Sequence, residues 1–297
     1  MDAKRYITGL LFLLLIVFAN VEAQEDAENV KTIGSFTHKD IEEPISLYAI
    51  TKDDSRALAF TSQMMVNTDG APDAYHPDDD GITHICNGIS VKVDGKCQWK
   101  ASCMEDYRKA KEEGFKGPTK LCFFAMVTDK QGVPLVQGED DPKPGYFISK
   151  TAFTQPGISS EKPQAYLDSH EIPYIVIPVK WNKDKGFEGI KLGDFAVVLR
   201  KSNQKISYAV VGDLGPNNKL GESSLNVHLT LGNDPFVMRY GKRRAMRGIG
   251  PGDVVYMIFP GSRKAGQVIT KEIIEEEGKK LLEQVGGEEW FVTQFAN

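Results

Sequence analysis

Short apolar runs, each closed by glycine, proline or aspartate, set the pattern of this chain. Runs at 45–50 and 57–66 predict two strands. A buried strand is predicted at 121–128, turned by 129–132 into a hairpin partner at 133–137. The β-branched run 172–179 is punctuated by Pro173 and Pro178. Proline donates nothing to a ladder, so this run suits an edge strand or a strand with tightly fixed ends. Gly193-Asp194 leads into strand 195–200, and a similar Gly252-Asp253 turn precedes strand 254–260.

The run 206–211 ends at Gly212-Asp213, and the turn-rich loop LGPNNKLG follows. The next segment, SSLNVHLTL, alternates, with Leu225, Val227, Leu229 and Leu231 on one side and Asn226, His228 and Thr230 on the other. Period-two alternation predicts a half-buried strand that folds back on the run before it. Helical spacing is confined to a short piece at 104–113 and a tail in which Ile273, Ile274, Leu281, Leu282 and Val285 share a face. The pattern predicts a mainly β, single-domain, β-barrel-like fold with few helices and a C-terminal helix, the double-psi barrel being one candidate type.

No linker or shift of composition divides residues 38–297, which form the expected domain. Residues 24–37 are polar and acidic without periodicity and read as a flexible N-terminal arm. Before them, Lys4 and Arg5 precede the apolar run 10–18, and Val21-Glu22-Ala23 offers small residues at a cleavage point. That run is shorter than the roughly 20 residues a membrane span needs. Residues 1–23 are therefore expected to be a signal peptide cleaved after Ala23, leaving a secreted protein without a stable membrane anchor.

Export gives the cysteines a meaning. Cys86, Cys97, Cys103 and Cys122 predict two disulfides, with three connectivities open. Zinc is the rival reading, since His76 and His84 lie nearby, but the C-x₂-C spacing of structural zinc is missing. The Asp78-x-Asp80-Gly81 pattern fails as a calcium loop: His76 stands where the first ligand belongs and Asn87 where the closing Glu belongs. No metal or other cofactor is expected.

A net charge of −5 argues against a nucleic-acid partner, which calls for a basic face. The cluster Arg239, Lys242, Arg243, Arg244 and Arg247 reads as a solvated loop, with contact to an anionic wall polymer as the sharper alternative. There is no G-x-S-x-G elbow and no phosphate-binding loop; GIGPG at 248–252 precedes a strand, not a helix.

Carboxylates remain. Asp213 and Glu222, nine positions apart, lie at the base of one turn-rich loop, and paired acids are what glycosidic cleavage uses. Asp213 ends an apolar strand, where partial burial raises a carboxyl pKa as a general acid requires. The plainer reading is a turn-forming Asp and a strand-capping Glu.

The pieces YIVIP (174–178), GDFAVV (193–198), VVGDLGPNNKLGESS (210–224) and TLG (230–232) resemble glycoside hydrolase family 75, the secreted fungal-type chitosanases. TDGAPDAYHPDDDGITHICNG (68–88), DPKPGYFIS (141–149) and GPGDVVYMIFPGS (250–262) are similar to the bacterial branch grouped with it. The resemblance implies Asp213 and Glu222 as the catalytic pair of an endo-acting, inverting hydrolase of β-1,4-linked glucosamine polymers. Asp69, Tyr75, His76, Asp78 and Tyr208 are then candidate substrate-binding residues. Asp73, Asp79 and Asp80 are further acids for a cationic polymer, and Trp181 is a further stacking aromatic. The expected partner is a polysaccharide and the expected state a monomer. The rivals are a non-catalytic polysaccharide- or wall-binding module and a hydrolase of another amino-sugar polymer such as peptidoglycan.

Overall fold

Six strands close into a barrel whose two faces are set by the alternation of apolar side chains. The computed structural model describes residues 29–183 and 187–296; the expected signal segment 1–23 and the expected cleavage point after Ala23 lie outside them. The strands are β1 (Val30–Phe36), β2 (Ile45–Lys52), β3 (Ser55–Asn67), β4 (Ile89–Val93), β5 (Lys96–Gln98), β6 (Leu121–Phe123), β7 (Tyr174–Pro178), β8 (Phe195–Arg200), β9 (Lys205–Gly215), β10 (Glu222–Ser224), β11 (Phe236–Arg239), β12 (Lys242–Ala245) and β13 (Ile249–Ile258). The helices are α1 (Cys103–Glu112), α2 (Leu225–Thr230), α3 (Lys271–Gln284) and α4 (Gly287–Phe295).

The barrel runs β3-β10-β7-β9-β8-β13, and β13 pairs back on β3. The β3–β10 and β7–β9 pairs are parallel, and the other four are antiparallel. Ala196 and Val198 of β8, Ala209 and Val211 of β9, and Val254, Tyr256 and Ile258 of β13 share the inner core. Their alternates, Phe195, Val197, Leu199, Val210, Val255 and Met257, pack outward with Ile274 and Leu282 of α3 and Phe291 of α4. Each such fully buried side chain contributes roughly 1.5–3 kcal/mol. Thr270 caps α3, its Oγ1 accepting from Ile273 N at 3.4 Å. Gly278 lets the Tyr208 ring lie on that helix: a Cβ there would come 2.6 Å from Tyr208 Cδ1.

A smaller layer, β5-β4-β6 with α1, packs outside the barrel through Tyr75, Ile85, Ile89, Tyr107 and Met126. Its disulfides are Cys86–Cys103 and Cys97–Cys122, which settles the three open connectivities.

Four local expectations change. Residues 30–36, expected in the arm, form strand β1 against β2; the sequence hides it because both faces of most of this edge strand are exposed and polar. Of the two forms expected for residues 172–179, the edge strand fails and the strand with tightly fixed ends holds: β7 is central and wholly buried, with Pro173 just before it and Pro178 closing it. Of 121–128, only Leu121–Phe123 is strand, and the turn that follows is held by isolated bridges such as Thr128 to Pro134.

The segment after Ser224 is a helix. Leu225, Val227, His228 and Leu231 are buried, and Leu229 is 50% exposed, a spacing that fits a helical turn and not a pleat. The cause is non-local. Ser169, more than fifty residues earlier, accepts from Leu225 N through its hydroxyl (2.9 Å) and from Asn226 N through its carbonyl (2.9 Å), satisfying the first free N–H groups of α2.

Candidate active site

A bulge aims Asp213. In the β7–β9 ladder, Val211 faces Ile175 but Asp213 faces Val176, so Gly212 is an extra residue. Without it, alternation would turn Asp213 inward. With it, Asp213 joins Tyr174 and Val176 on the outer face, and Leu214 turns onto the inner core. Gly212 is required for space: a Cβ would come 2.6 Å from Tyr174 Cβ.

Glu222 pairs with the same Val176 from the other side, on antiparallel β10. Asp213 and Glu222 therefore flank Val176 on one face, two strand spacings or roughly 10 Å apart at Cα. The hairpin expected between their strands does not form, because β7 lies between β9 and β10. Gly221, with φ of 86°, seats β10: a Cβ would come 2.3 Å from Gln63 O.

Asp213 is 6% exposed. Its Oδ1 accepts from Ala152 N at 2.8 Å and its Oδ2 from Asn67 Nδ2 at 3.3 Å. Burial pushes its pKa up to about 6, against the pull of these donors and of Leu214 N–H, with Glu222 adding a smaller push upward.

Asp69, just beyond β3, is a third carboxyl. Tyr75 Oη donates to its Oδ1 at 2.8 Å, and Asp69 N donates to Asn67 Oδ1 at 2.8 Å. Burial first, and then Asp213, push its pKa well above the carboxylate range. Tyr174 Oη lies 2.7 Å from both Asn67 Oδ1 and Asp69 O and donates its one proton there. Asn67 thus ties Asp69 to Asp213. Glu222 Oε1 faces Lys219 Nζ at 3.5 Å. His38, buried nearby, has its pKa lowered chiefly by that burial.

Of the other sequence candidates, only Tyr75 touches this group. Tyr75 is 2% exposed, so its ring has no open face to stack on a sugar, and its hydroxyl holds Asp69. Trp181, 3% exposed, is core, packed edge-on to Phe36 and Phe60. Tyr208 sits five residues before Asp213 on β9, roughly 17 Å away along the strand, and donates to Glu288. His76 turns its ring to Tyr146. The acid loop is largely neutralised: Asp73 meets His170 (2.7 Å), Asp78 meets Lys111, Asp79 meets Arg244 (2.8 Å) and Asp80 meets Lys242 (2.6 Å). Asn67, Lys150, Tyr174 and Lys219 were not singled out from sequence. The one available signal was position: Asn67 follows the expected strand 57–66 and Tyr174 lies near the start of the expected strand 172–179, both beside quoted motifs.

Among the described residues no cluster of three or more His, Cys, Asp or Glu is arranged to hold a metal. A cavity of about 500 Å³, lined by Asp79, His84, Lys242 and Arg244, lies under the β11–β12 hairpin and includes none of the three carboxyls.

A closed barrel presenting one proton-holding carboxyl and one ion-paired carboxyl on a shared face has the equipment of a glycoside hydrolase. The chain belongs to the fungal chitosanases of glycosyl hydrolase group 75, whose family model matches residues 89–284, and it is a chitosanase-type glycosidase. Asp213 and Glu222 lie inside the matched span; Asp69 and Tyr75 precede it. No curated protein matches the chain.

Proposed function

We propose that the protein is a secreted, endo-acting chitosanase that cleaves β-1,4-linked glucosamine polymers with inversion. Asp213 is the general acid and Glu222 the general base. The observation that carries this reading is their placement on either side of Val176. Two strand spacings, roughly 10 Å at Cα, support room for a water between Glu222 and the sugar, the arrangement of inverting enzymes, whose carboxyls stand roughly 6.5–9.5 Å apart, against about 5–5.5 Å for retaining ones.

The roles follow from the surroundings. Burial keeps a proton on Asp213 to about pH 6, ready for the leaving glycosidic oxygen. Glu222, paired with Lys219 Nζ at 3.5 Å, is the carboxylate that takes a proton from the attacking water. Atoms balance: water adds its OH to the anomeric carbon, Asp213 protonates the departing oxygen, and the proton returns from Glu222 through solvent. Asp69 contacts the sugar beside them, held by Tyr75 and Asn67.

The same reading assigns residues 38–297 to the hydrolase domain, with β1 laid against it, and residues 1–23 to a leader removed after Ala23. Two disulfides suit an oxidising compartment. No helix among the described residues is long and apolar enough to cross a membrane. We read the secreted enzyme as a monomer.

The test is reducing-end release by mature protein on chitosan, chitin and peptidoglycan, beside Asp213→Asn and Glu222→Gln. Chitosan should be cut, and each variant should lose roughly 10²–10⁴ of the rate. Polymer binding without cleavage by any of the three proteins would mean a binding module. Cleavage of peptidoglycan alone would overturn the substrate assignment.

A further inference from the structure

We infer that the cavity under the β11–β12 hairpin binds an acidic polysaccharide through its uronate sugars, at a site separate from the three carboxyls. The basic run 239–247 divides into two sets. Lys242 and Arg244 are taken up by the 79–83 loop. Arg244 donates to Gly81 O (2.6 Å), Thr83 O (2.9 Å) and Asp79 O and Oδ2 (2.8 Å each). Lys242 Nζ donates to Asp79 O (2.9 Å) and pairs with Asp80 (2.6 Å). Arg239, Arg243 and Arg247 are exposed, and none has a carboxylate partner among the described residues. Arg239 reaches Met246 Sδ at 3.8 Å, Arg243 lies 3.3 Å from the Phe236 ring centroid, and Arg247 donates to Asp234 O at 3.4 Å.

The hairpin tip is strained where it is most exposed. Arg239 pairs with Lys242, so Tyr240 and Gly241 form the two-residue turn, with φ of 51° and 72°. Two left-handed positions favour Asn-Gly or Asp-Gly, and a bulky side chain is disfavoured at the first. Packing does not compensate, because Tyr240 is 90% exposed and its ring lies beside the Arg239 guanidinium, 5.4 Å from the centroid. A strained, solvent-facing aromatic next to an unneutralised cation serves a ligand, since the fold gains nothing from it.

The cavity supplies the polar partners. Arg239 and Tyr240 line it from the hairpin, and His84 and Asn87 from the segment opposite in sequence. His84 Nδ1 accepts from Cys86 N at 3.2 Å, so Nε2 carries a proton; Asp79 Oδ2, already held by Arg244, lies 3.8 Å from it, beyond hydrogen-bond reach. Asn87 donates through Nδ2 to Thr83 Oγ1 at 2.9 Å, which leaves Oδ1 to accept. Asp79, the one acid in the lining, is saturated by Ile85 N on Oδ1 and Arg244 on Oδ2. A uronate sugar matches this set. Its carboxylate takes the Arg239 fork and His84 Nε2–H, a hydroxyl donates to Asn87, and its ring face lies on Tyr240. Nucleic acid, with a charge about every 1.7 Å in a duplex, would meet three unpaired arginines on a chain of net charge −5. The site goes beyond the chitosanase reading and stands without it. With that reading its use is plain: a protonated polyamine gathers polyanions, so a grip on the polyanion brings the cleft to its substrate.

The experiment runs mature protein in native gels containing polygalacturonate and takes Kd from the retardation. Wild type should be retarded, and less so at high salt. Tyr240→Asn and Arg239→Gln should each weaken Kd by about tenfold, the scale of one charged hydrogen bond or one stacked ring. Tyr240→Asn should also melt no lower than wild type, because asparagine suits the turn. Both variants should cut soluble chitosan oligomers at the wild-type rate. No retardation of wild type overturns the assignment, and so does unchanged retardation of either variant. A lower melting temperature for Tyr240→Asn gives the tyrosine to the fold and overturns it as well. Equal or stronger retardation by single-stranded DNA or polyphosphate would mean a surface that reads phosphate or bare charge, and would overturn it too. A wild type that is retarded but cuts no chitosan removes the chitosanase reading and leaves this site in place.

Discussion

Replacing Asp213 with asparagine should stabilise the protein at neutral pH while removing its activity. Burial raises this carboxyl from 3.8 to about 6, so between those values the folded chain holds a proton that the unfolded chain has lost. Its contribution to stability is full below about pH 4 and is lost as pH rises through 6. At pH 7 the folded state carries a buried anion at a cost of about 3 kcal/mol, two pKa units at 1.36 kcal/mol each. Asparagine does not titrate and escapes that cost. It brings a smaller one, because Asp213 accepts from Ala152 N on one oxygen and from Asn67 Nδ2 on the other, so one amide nitrogen must face a donor. That loss is about 1 kcal/mol. The net gain for Asp213→Asn is about 2 kcal/mol at pH 7, or roughly 4–8 °C in melting temperature for a domain of this size. At pH 4 the sign reverses, and the variant should be slightly less stable than wild type. Thermal and urea melts at the two pH values measure this directly. A variant no more stable at pH 7 than at pH 4, relative to wild type, would refute the account of a buried, proton-holding Asp213.

The same pKa predicts that kcat/KM on chitosan falls above about pH 6, as the general acid loses its proton; a rate that keeps rising to pH 8 would assign the acid elsewhere. Tyr75→Phe should cost roughly 1–3 kcal/mol in urea unfolding, since it strips the donor from a buried Asp69 oxygen. It should also lower activity without abolishing it, whereas a tyrosine that merely fills space would show neither effect. Gly221→Ala should lose both stability and activity, because its methyl meets Gln63 O at 2.3 Å and β10, with Glu222, must shift. Cys97→Ser with Cys122→Ser opens a loop of 25 residues and should cost about 3 kcal/mol, read by urea melts of the oxidised protein.

Most strands were legible because they are buried on both faces and closed by glycine or proline turns. β8 is the plainest: six apolar or aliphatic-stemmed residues between Gly-Asp and a polar turn. What failed was whatever depends on partners distant in sequence. Leu225 to Leu231 alternates well enough to pass for a strand, and the acceptors for its first helical N–H groups come from distant Ser169. Asp213 and Glu222 were legible as a pair, but for an incomplete reason. The chain does fold back between them, yet it is β7, inserted from some forty residues earlier, that sets their distance. The aspartates of 73–80 read as a cleft lining because local sequence does not show that Lys111, His170, Lys242 and Arg244 come back to meet them. Exposed aromatics were equally hard to find from sequence: Trp181 and Tyr75 are core, and nothing local distinguishes them from a sugar platform.

The two-strand separation of Asp213 and Glu222 commits the account to an order of events at the anomeric carbon. Proton NMR of a chitosan oligomer during the first minutes of hydrolysis reads that order before mutarotation blurs it. The new reducing end should appear first as the α-anomer, from a β-linked substrate, because a water held between Glu222 and the sugar attacks directly. The β-anomer appearing first would mean a covalent intermediate and two carboxyls in close contact, and would contradict it.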